Sequence, residues 1–131
     1  MEFAQTFLEA SGIEEPDDMQ GECLMPLLTG DTANWSRDAV YYHYFEYPAV
    51  HMVKRHYGIV IKEFKLIHFY YDVDEWKLYA REKDPQELNN VYDDPSYYAN
   101  VVDELRIKLS RLREKYKVSE ELDKYYIDSY F

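Results

Sequence analysis

Residues 57–71 read Tyr-Gly-Ile-Val-Ile-Lys-Glu-Phe-Lys-Leu-Ile-His-Phe-Tyr-Tyr. Two runs of β-branched and aromatic residues are joined here by the polar pair Lys62-Glu63, which is a turn signal. Similar short runs lie on either side, at residues 38–47 and 76–79. Four short strands joined by tight turns predict an antiparallel sheet in which consecutive strands are neighbours.

Tyrosine is the unusual component of the sequence, with 15 of 131 residues against 4 glycines. A tyrosine ring packs on a half-buried sheet while its hydroxyl stays hydrated. We therefore assign the excess of tyrosine to the predicted strands. The Tyr-rich run at residues 41–47 could alternatively form a platform on which sugar rings stack.

The last third of the sequence is predicted to be helical. Residues 94–96 (Asp-Pro-Ser) form a helix start signal. Apolar residues then recur at helical spacing, at Val101, Leu105, Leu109 and Leu112. Such an amphipathic helix can cover one face of the sheet. Residues 119–131 predict a second short helix, in which Tyr130 and Phe131 are expected to fray unless they are docked.

The residues before the sheet predict a short arm. Residues 3–11 have one apolar helical face and end at Gly12, residues 13–23 form an acidic loop, and residues 24–28 form about one helical turn. The predicted fold is thus α+β: a four-stranded antiparallel sheet covered by a long C-terminal helix, with an N-terminal helix and loop arm.

The chain is acidic, with a net charge of −11 and one cysteine. Such a charge disfavours nucleic acid as a partner, and one cysteine excludes an internal disulfide framework and a cysteine-based zinc site. No apolar run reaches the length of a membrane span. The first residues lack the features of a secretory signal. We expect no nucleic-acid or membrane partner, and the sequence assigns no location.

The basic stretch at residues 51–56 (His-Met-Val-Lys-Arg-His) stands out in this acidic chain. His51, Arg55 and His56 are candidate ligands for a sulfate, phosphate or carboxylate. The alternative is a solvated cluster that balances nearby acids. The histidine and acidic spacings match no metal site, and Cys23 lies in an acidic stretch that favours a packing role over a nucleophile. No catalytic or metal-binding residue is predicted.

Five different short motifs follow one another along the chain. They occupy residues 3–13, 16–30 (Pro, then Met-Gln-Gly-Glu-Cys-Leu-Met-Pro-Leu-Leu-Thr-Gly), 35–48 (Trp, Arg-Asp, then a Tyr-rich strand ending in Glu-Tyr-Pro), 58–67 and 77–90. In this order they resemble the C-terminal end of sulfatases of the alkaline-phosphatase superfamily. Within this superfamily, the motifs most resemble the N-sulfoglucosamine and N-acetylglucosamine-6-sulfatases. The resemblance covers roughly residues 3–115.

The resemblance implies a part of an enzyme. Sulfatases of this family hydrolyse sulfate esters with a formylglycine made in a Cys/Ser-x-Pro-x-Arg motif and with a calcium ion held by Asp and Asn. Both groups belong to a large N-terminal α/β domain, and Cys23 does not fit the motif because Pro26 is one place late. The corresponding C-terminal subdomain is a four-stranded antiparallel sheet with a terminal helix. Its loops lend residues to substrate recognition, which implies that role for His51, Arg55 and His56.

The resemblance also divides the chain. Residues 1–37 correspond to the end of the catalytic domain, and residues 38–131 to the C-terminal subdomain. Val60, Ala80 and Arg81 depart from the family pattern, which suggests a truncated or split gene, or a cloned fragment. We expect a fragment that is inactive by itself and has a sulfatase catalytic domain as partner. The alternatives are a non-catalytic module that binds sulfated glycans and a self-associating interaction domain.

Overall fold

The computed structural model describes residues 2–48 and 50–129. Its helices are α1 (Glu2–Ala10), α2 (Met25–Leu28), α3 (Pro95–Tyr97), α4 (Asp103–Lys115) and α5 (Glu120–Ser129). Its strands are β1 (Val40–Tyr44), β2 (His56–Val60), β3 (Phe64–Phe69) and β4 (Glu75–Ala80). None of the helices in these ranges is both long and apolar enough to cross a membrane. The predicted fraying of Tyr130 and Phe131 lies outside the described residues.

The chain forms two compact units, the first ending at Arg37 and the second beginning at Asp38. In the first unit, α1 buries polar side chains, Gln5 and Thr6. Thr6 Oγ1 accepts a hydrogen bond from the Leu24 amide at 2.9 Å. Gly21 lies against Gln5, since a Cβ at this position would lie 2.5 Å from Gln5 Oε1. The polar side of α1 therefore holds the loop that leads to α2.

The opposite side of α1 is apolar and exposed. Phe3 and Phe7 are 67% and 66% exposed, and their rings stack with centroids 6.3 Å apart. Arg37 closes the unit by pairing with Glu2 at 2.8 Å and with Glu22 at 3.4 Å. That this unit corresponds to the end of a catalytic domain, and the second unit to the C-terminal subdomain, stays a prediction.

The second unit contains the predicted sheet. The four strands pair antiparallel in the order β1-β2-β3-β4. Residues 62 and 63 form the turn between β2 and β3, and the turn is closed by a bond from the Ile61 amide to the Phe64 carbonyl at 2.9 Å. The antiparallel meander expected from residues 57–71 is confirmed.

The core lies between the sheet and α4. Ile59, Leu66 and Leu78 are opposite one another in register on β2, β3 and β4, and each is fully buried. Leu105 and Leu109 of α4 pack on them. Burial of such side chains contributes about 1.5–3 kcal/mol each, so this cluster dominates the stability of the unit. The α+β fold and the covering C-terminal helix are confirmed, and α4 is 13 residues long.

The structure differs from the prediction at the end of β1 and in the first turns of the C-terminal helical region. β1 ends at Tyr44 rather than near residue 47, because the carbonyl oxygens of Phe45 and Tyr47 accept hydrogen bonds from the Arg55 side chain instead of joining the ladder. The helix begins as predicted, with Asp94 Oδ1 accepting from the Ser96 amide at 2.9 Å. A π-helical turn at Tyr98–Val102 then precedes α4, and the apolar spacing does not reveal it.

Candidate functional site

The predicted basic residues lie in and beside the loop that joins β1 to β2. Arg55 is 2% exposed. Its Nη1 donates to both carboxylate oxygens of Asp72, at 2.9 and 3.1 Å, and its Nε donates to the Phe45 carbonyl at 3.0 Å. Its Nη2 donates to the Tyr47 carbonyl. Arg55 thus fastens both ends of residues 45–55 to the loop after β3.

His56 is the first residue of β2, where it pairs with Tyr44 and Phe69 in the ladder. Its ring lies among the rings of these neighbours, with centroids 5.6 Å from Tyr44 and 5.1 Å from Phe69. Its Nδ1 donates to the Lys54 carbonyl oxygen at 2.8 Å, since a carbonyl can only accept. His56 is therefore partly buried on the sheet face opposite α4.

The remaining cationic positions lie nearer to solvent. His51 is exposed in a turn. Lys54 Nζ donates to Tyr47 Oη at 2.7 Å and lies 3.9 Å from the centre of that ring. The structure therefore does not gather His51, Arg55 and His56 into one cluster: Arg55 holds the loop, His56 joins the sheet and His51 is accessible. Their role in substrate binding stays a prediction.

A second polar cluster lies between the sheet and α5, and the sequence analysis missed it. His43 is at its centre, with Nδ1 2.9 Å from Tyr41 Oη and Nε2 2.7 Å from Tyr70 Oη. Burial, together with the nearby Arg113 guanidinium, lowers the pKa of His43 to about 3. At neutral pH the 3.8 Å approach of His43 to Asp123 is therefore not an ion pair.

Arg113 and Asp123 form the charged part of this cluster. Arg113 Nη2 donates to Asp123 Oδ2 at 2.7 Å, and the guanidinium lies 4.0 Å from the centre of the Tyr57 ring. Burial raises the pKa of Asp123, which the bond from Arg113 opposes. Tyr57 Oη in turn lies 2.8 Å from His68 Nδ1. The side chains of this cluster span residues 41–123, so no local spacing in the sequence could have found them.

Other candidate chemistry is sparse. Within residues 2–48 and 50–129, no group of three or more His, Cys, Asp or Glu side chains could hold a metal ion. Cys23 is partly exposed, and its Sγ accepts from the Met25 amide at 3.3 Å, at the start of α2.

Comparison with known proteins gives consistent matches. The family described as N-sulphoglucosamine sulphohydrolase, C-terminal, matches residues 1–115. The chain is 48% identical over 120 residues to N-acetylglucosamine-6-O-sulfatase of Bacteroides thetaiotaomicron, covering 89% of the chain and 21% of that protein.

Solved structures show the same fold. The chain matches BT4656, solved in complex with its substrate D-glucosamine-2-N,6-O-disulfate, with a TM-score of 0.84 and 48% identity, covering 91% of this chain and 24% of that one. It matches BT1596, a 2-O GAG sulfatase, with a TM-score of 0.74 and 26% identity, covering 86% and 24%. The chain thus spans about a quarter or less of the length of these relatives.

Proposed function

Because the chain belongs to the N-sulphoglucosamine sulphohydrolase C-terminal family, we propose that it works as the C-terminal subdomain of a sulfatase acting on 6-O-sulfated glucosamine. The substrate class is taken from the matches at 48% identity, a curated protein named N-acetylglucosamine-6-O-sulfatase and a solved structure bound to D-glucosamine-2-N,6-O-disulfate. In this proposal a separate catalytic domain would hold the formylglycine and the calcium ion, and these groups would supply the chemistry of sulfate-ester hydrolysis. This chain supplies packing and recognition.

The observation that supports the proposal is that α1 buries polar side chains and exposes apolar ones. A helix on a soluble domain normally buries its apolar side, whereas α1 buries Gln5 and Thr6 and exposes Phe3 and Phe7. Leu28 of α2 is also exposed, at 71%. Exposed apolar side chains grouped on one unit are typical of a surface that another domain covers. A catalytic domain is the partner that the family supports.

The loop at residues 45–55 would supply the recognition element. Arg55 holds this loop through the carbonyls of Phe45 and Tyr47 and through Asp72, so its role is to position the loop. His51 is the accessible member and would contact the anionic sugar, with Lys54 beside it. His56 would fix the end of the loop on β2 through its bond to the Lys54 carbonyl.

Reconstitution tests the proposal directly. The purified chain would be mixed with the catalytic segment of the Bacteroides thetaiotaomicron relative, lacking the part that this chain matches, in the presence of calcium. We expect release of sulfate from N-acetylglucosamine-6-sulfate by the mixture and none by the chain alone. Turnover by the chain alone, or no complex with the catalytic segment, would contradict the proposal.

Variants separate packing from recognition. Replacing both Phe3 and Phe7 with Ser should abolish assembly, because it removes the apolar contact, whereas Glu9→Ser on the same helix should leave it intact. His51→Gln should raise the KM while assembly is unchanged, because the histidine contacts substrate only.

The exposed apolar side of α1 also fits a second copy of the chain, which is the specific observation favouring an interaction domain. Sedimentation of the chain by itself distinguishes the two. A monomer at high concentration that assembles with the catalytic segment supports the sulfatase role. A stable dimer that does not bind the catalytic segment supports self-association.

A further inference from the structure

The helix α5 follows residue 115, where the stretch matched by the family ends. It has 10 residues, and a helix of this length is marginal in water unless it packs on other parts of the chain. Its buried positions are Asp123 and Ile127. Tyr126 is three residues after Asp123 and therefore lies on the same side of the helix. Asp123 pairs with Arg113 of α4 at 2.7 Å, so this side of α5 is the docked one.

Tyr126 contacts the first residue of the loop at residues 45–55. Its ring centroid lies 4.8 Å from that of Phe45, with an angle of 46° between the ring planes. The ring of Phe45 also stacks on His43 of β1, with centroids 3.7 Å apart. Contacts between aromatic rings add stabilisation to that of burial alone. Phe45 is therefore held by the sheet and by α5 at the same time.

The position of Phe45 affects the bonds of Arg55. The Phe45 carbonyl accepts a hydrogen bond from Arg55 Nε at 3.0 Å, and Arg55 pairs with Asp72 at 2.9 Å. A shift of the Phe45 backbone would lengthen or break its bond to Arg55, because hydrogen bonds weaken steeply outside a narrow range of distance and angle. The ring of Tyr126 thus acts, through Phe45, on the residue that joins the two ends of the loop.

A cavity of about 410 Å³ lies beside this contact. Pro48 and Tyr71 line it together with Ile127 of α5. Protein interiors are normally close-packed, so a cavity here means that the loop and α5 are loosely packed on this side. The base of the loop has room to move into this space. The contact between Tyr126 and Phe45 therefore restrains the loop where packing by Ile127 does not.

We propose that Tyr126 is a positioning residue for substrate recognition: its ring fixes Phe45 and, through Arg55, sets the position of the loop that carries His51. The inference rests on the proposed function, in which His51 contacts the anionic sugar. Tyr126 itself does not touch the sugar and acts only through the loop. Because α5 lies outside the stretch matched by the family, this chain adjusts the loop with an element that the family match does not include.

The first test measures the hold of α5 on the loop in the chain by itself. Its readout is the rate at which the Arg55 Nε–H proton exchanges with water, followed by nuclear magnetic resonance. Tyr126→Ala should speed this exchange at least tenfold, whereas Tyr126→Phe keeps the ring and should exchange at the parental rate. The matched control is Tyr125→Ala, which removes the same ring from a position of α5 that is 63% exposed.

The outcomes of this first test are distinct. Parental exchange in a folded Tyr126→Ala chain, or an equal acceleration in Tyr125→Ala, would overturn the proposal. Folding is judged by the methyl signals of Leu66 and Ile59. Should Tyr126→Ala unfold, Tyr126→Leu removes the aromatic contact at a smaller loss of apolar volume, and the same acceleration is expected from it.

The second test measures substrate binding in the enzyme reconstituted with the catalytic segment. Tyr126→Ala should raise the KM for N-acetylglucosamine-6-sulfate at least threefold and leave kcat within twofold of the parent. Added to His51→Gln, it should raise the KM no further, because residues that act through one another are not additive. An unchanged KM, or a fully additive effect, would overturn the proposal. Absence of turnover with the parental chain would instead contradict the sulfatase role, and the exchange test would still decide whether Tyr126 holds the loop.

Discussion

Asp72→Asn is the most informative single change, because it tests whether Arg55 holds the loop. The substitution preserves the shape of residue 72 and removes its charge. The guanidinium of Arg55 would then stay buried and bonded to the carbonyls of Phe45 and Tyr47, but it would lose the charge of Asp72. In the parent chain the two side chains meet at 2.9 Å, with 2% and 11% of their side-chain surfaces exposed.

The expected cost follows from this burial. Removing one partner of a buried ion pair destabilises a protein by about 3–5 kcal/mol, because an uncompensated charge remains. Asp72 is slightly exposed and the amide can still accept a hydrogen bond, so we expect the lower end, about 3 kcal/mol. Domains of this size have a free energy of unfolding of about 5–15 kcal/mol, so the loss is a large share of the total.

Urea denaturation followed by circular dichroism measures the change in free energy of unfolding. The matched control is Lys77→Gln, which breaks the more exposed pair between Lys77 and Glu75, 3.4 Å apart, and should cost no more than about 1 kcal/mol. Hydrogen exchange in residues 45–55 should also accelerate in Asp72→Asn. A loss below about 1 kcal/mol, with exchange unchanged, would refute the positioning role of Arg55.

Two further changes probe the sheet. Gly58→Ala places a Cβ 2.6 Å from the Leu66 carbonyl and 2.7 Å from Tyr42 Oη, and should lower the free energy of unfolding by about 1–3 kcal/mol; a chain as stable as the parent in urea would contradict this reading. Burial lowers the pKa of His43 from 6.5 to about 3. Between pH 6.5 and pH 3 the histidine is therefore protonated in the unfolded chain and neutral in the folded chain. As the pH falls through this range, His43 lowers the free energy of unfolding by about 1.4 kcal/mol per pH unit, and above pH 6.5 it has no such effect. His43→Gln should remove that part of the slope, and an identical slope in both chains would refute it.

The basic stretch at residues 51–56 shows which properties of a residue its neighbours in the sequence do not predict. The composition of residues 51–56 placed three candidates side by side in the chain. Whether a charged side chain is exposed or buried depends on a partner elsewhere: Arg55 is buried because Asp72 lies after the next hairpin. Adjacent residues were therefore given one role, whereas their surroundings in the structure differ.

The sequence by itself determined the elements and their order. Runs of β-branched and aromatic residues predict the strands, and an apolar spacing of three to four residues predicts α4. Short turns bring consecutive strands side by side, so that they pair. All these signals are local. Only the tertiary structure decided the outward apolar side of α1, the anchoring of Arg55 and the cluster of His43, Arg113 and Asp123. Each of these features depends on contacts between segments that are distant in the sequence. Burial and hydrogen bonding arise from those contacts, so no single stretch of sequence predicts them.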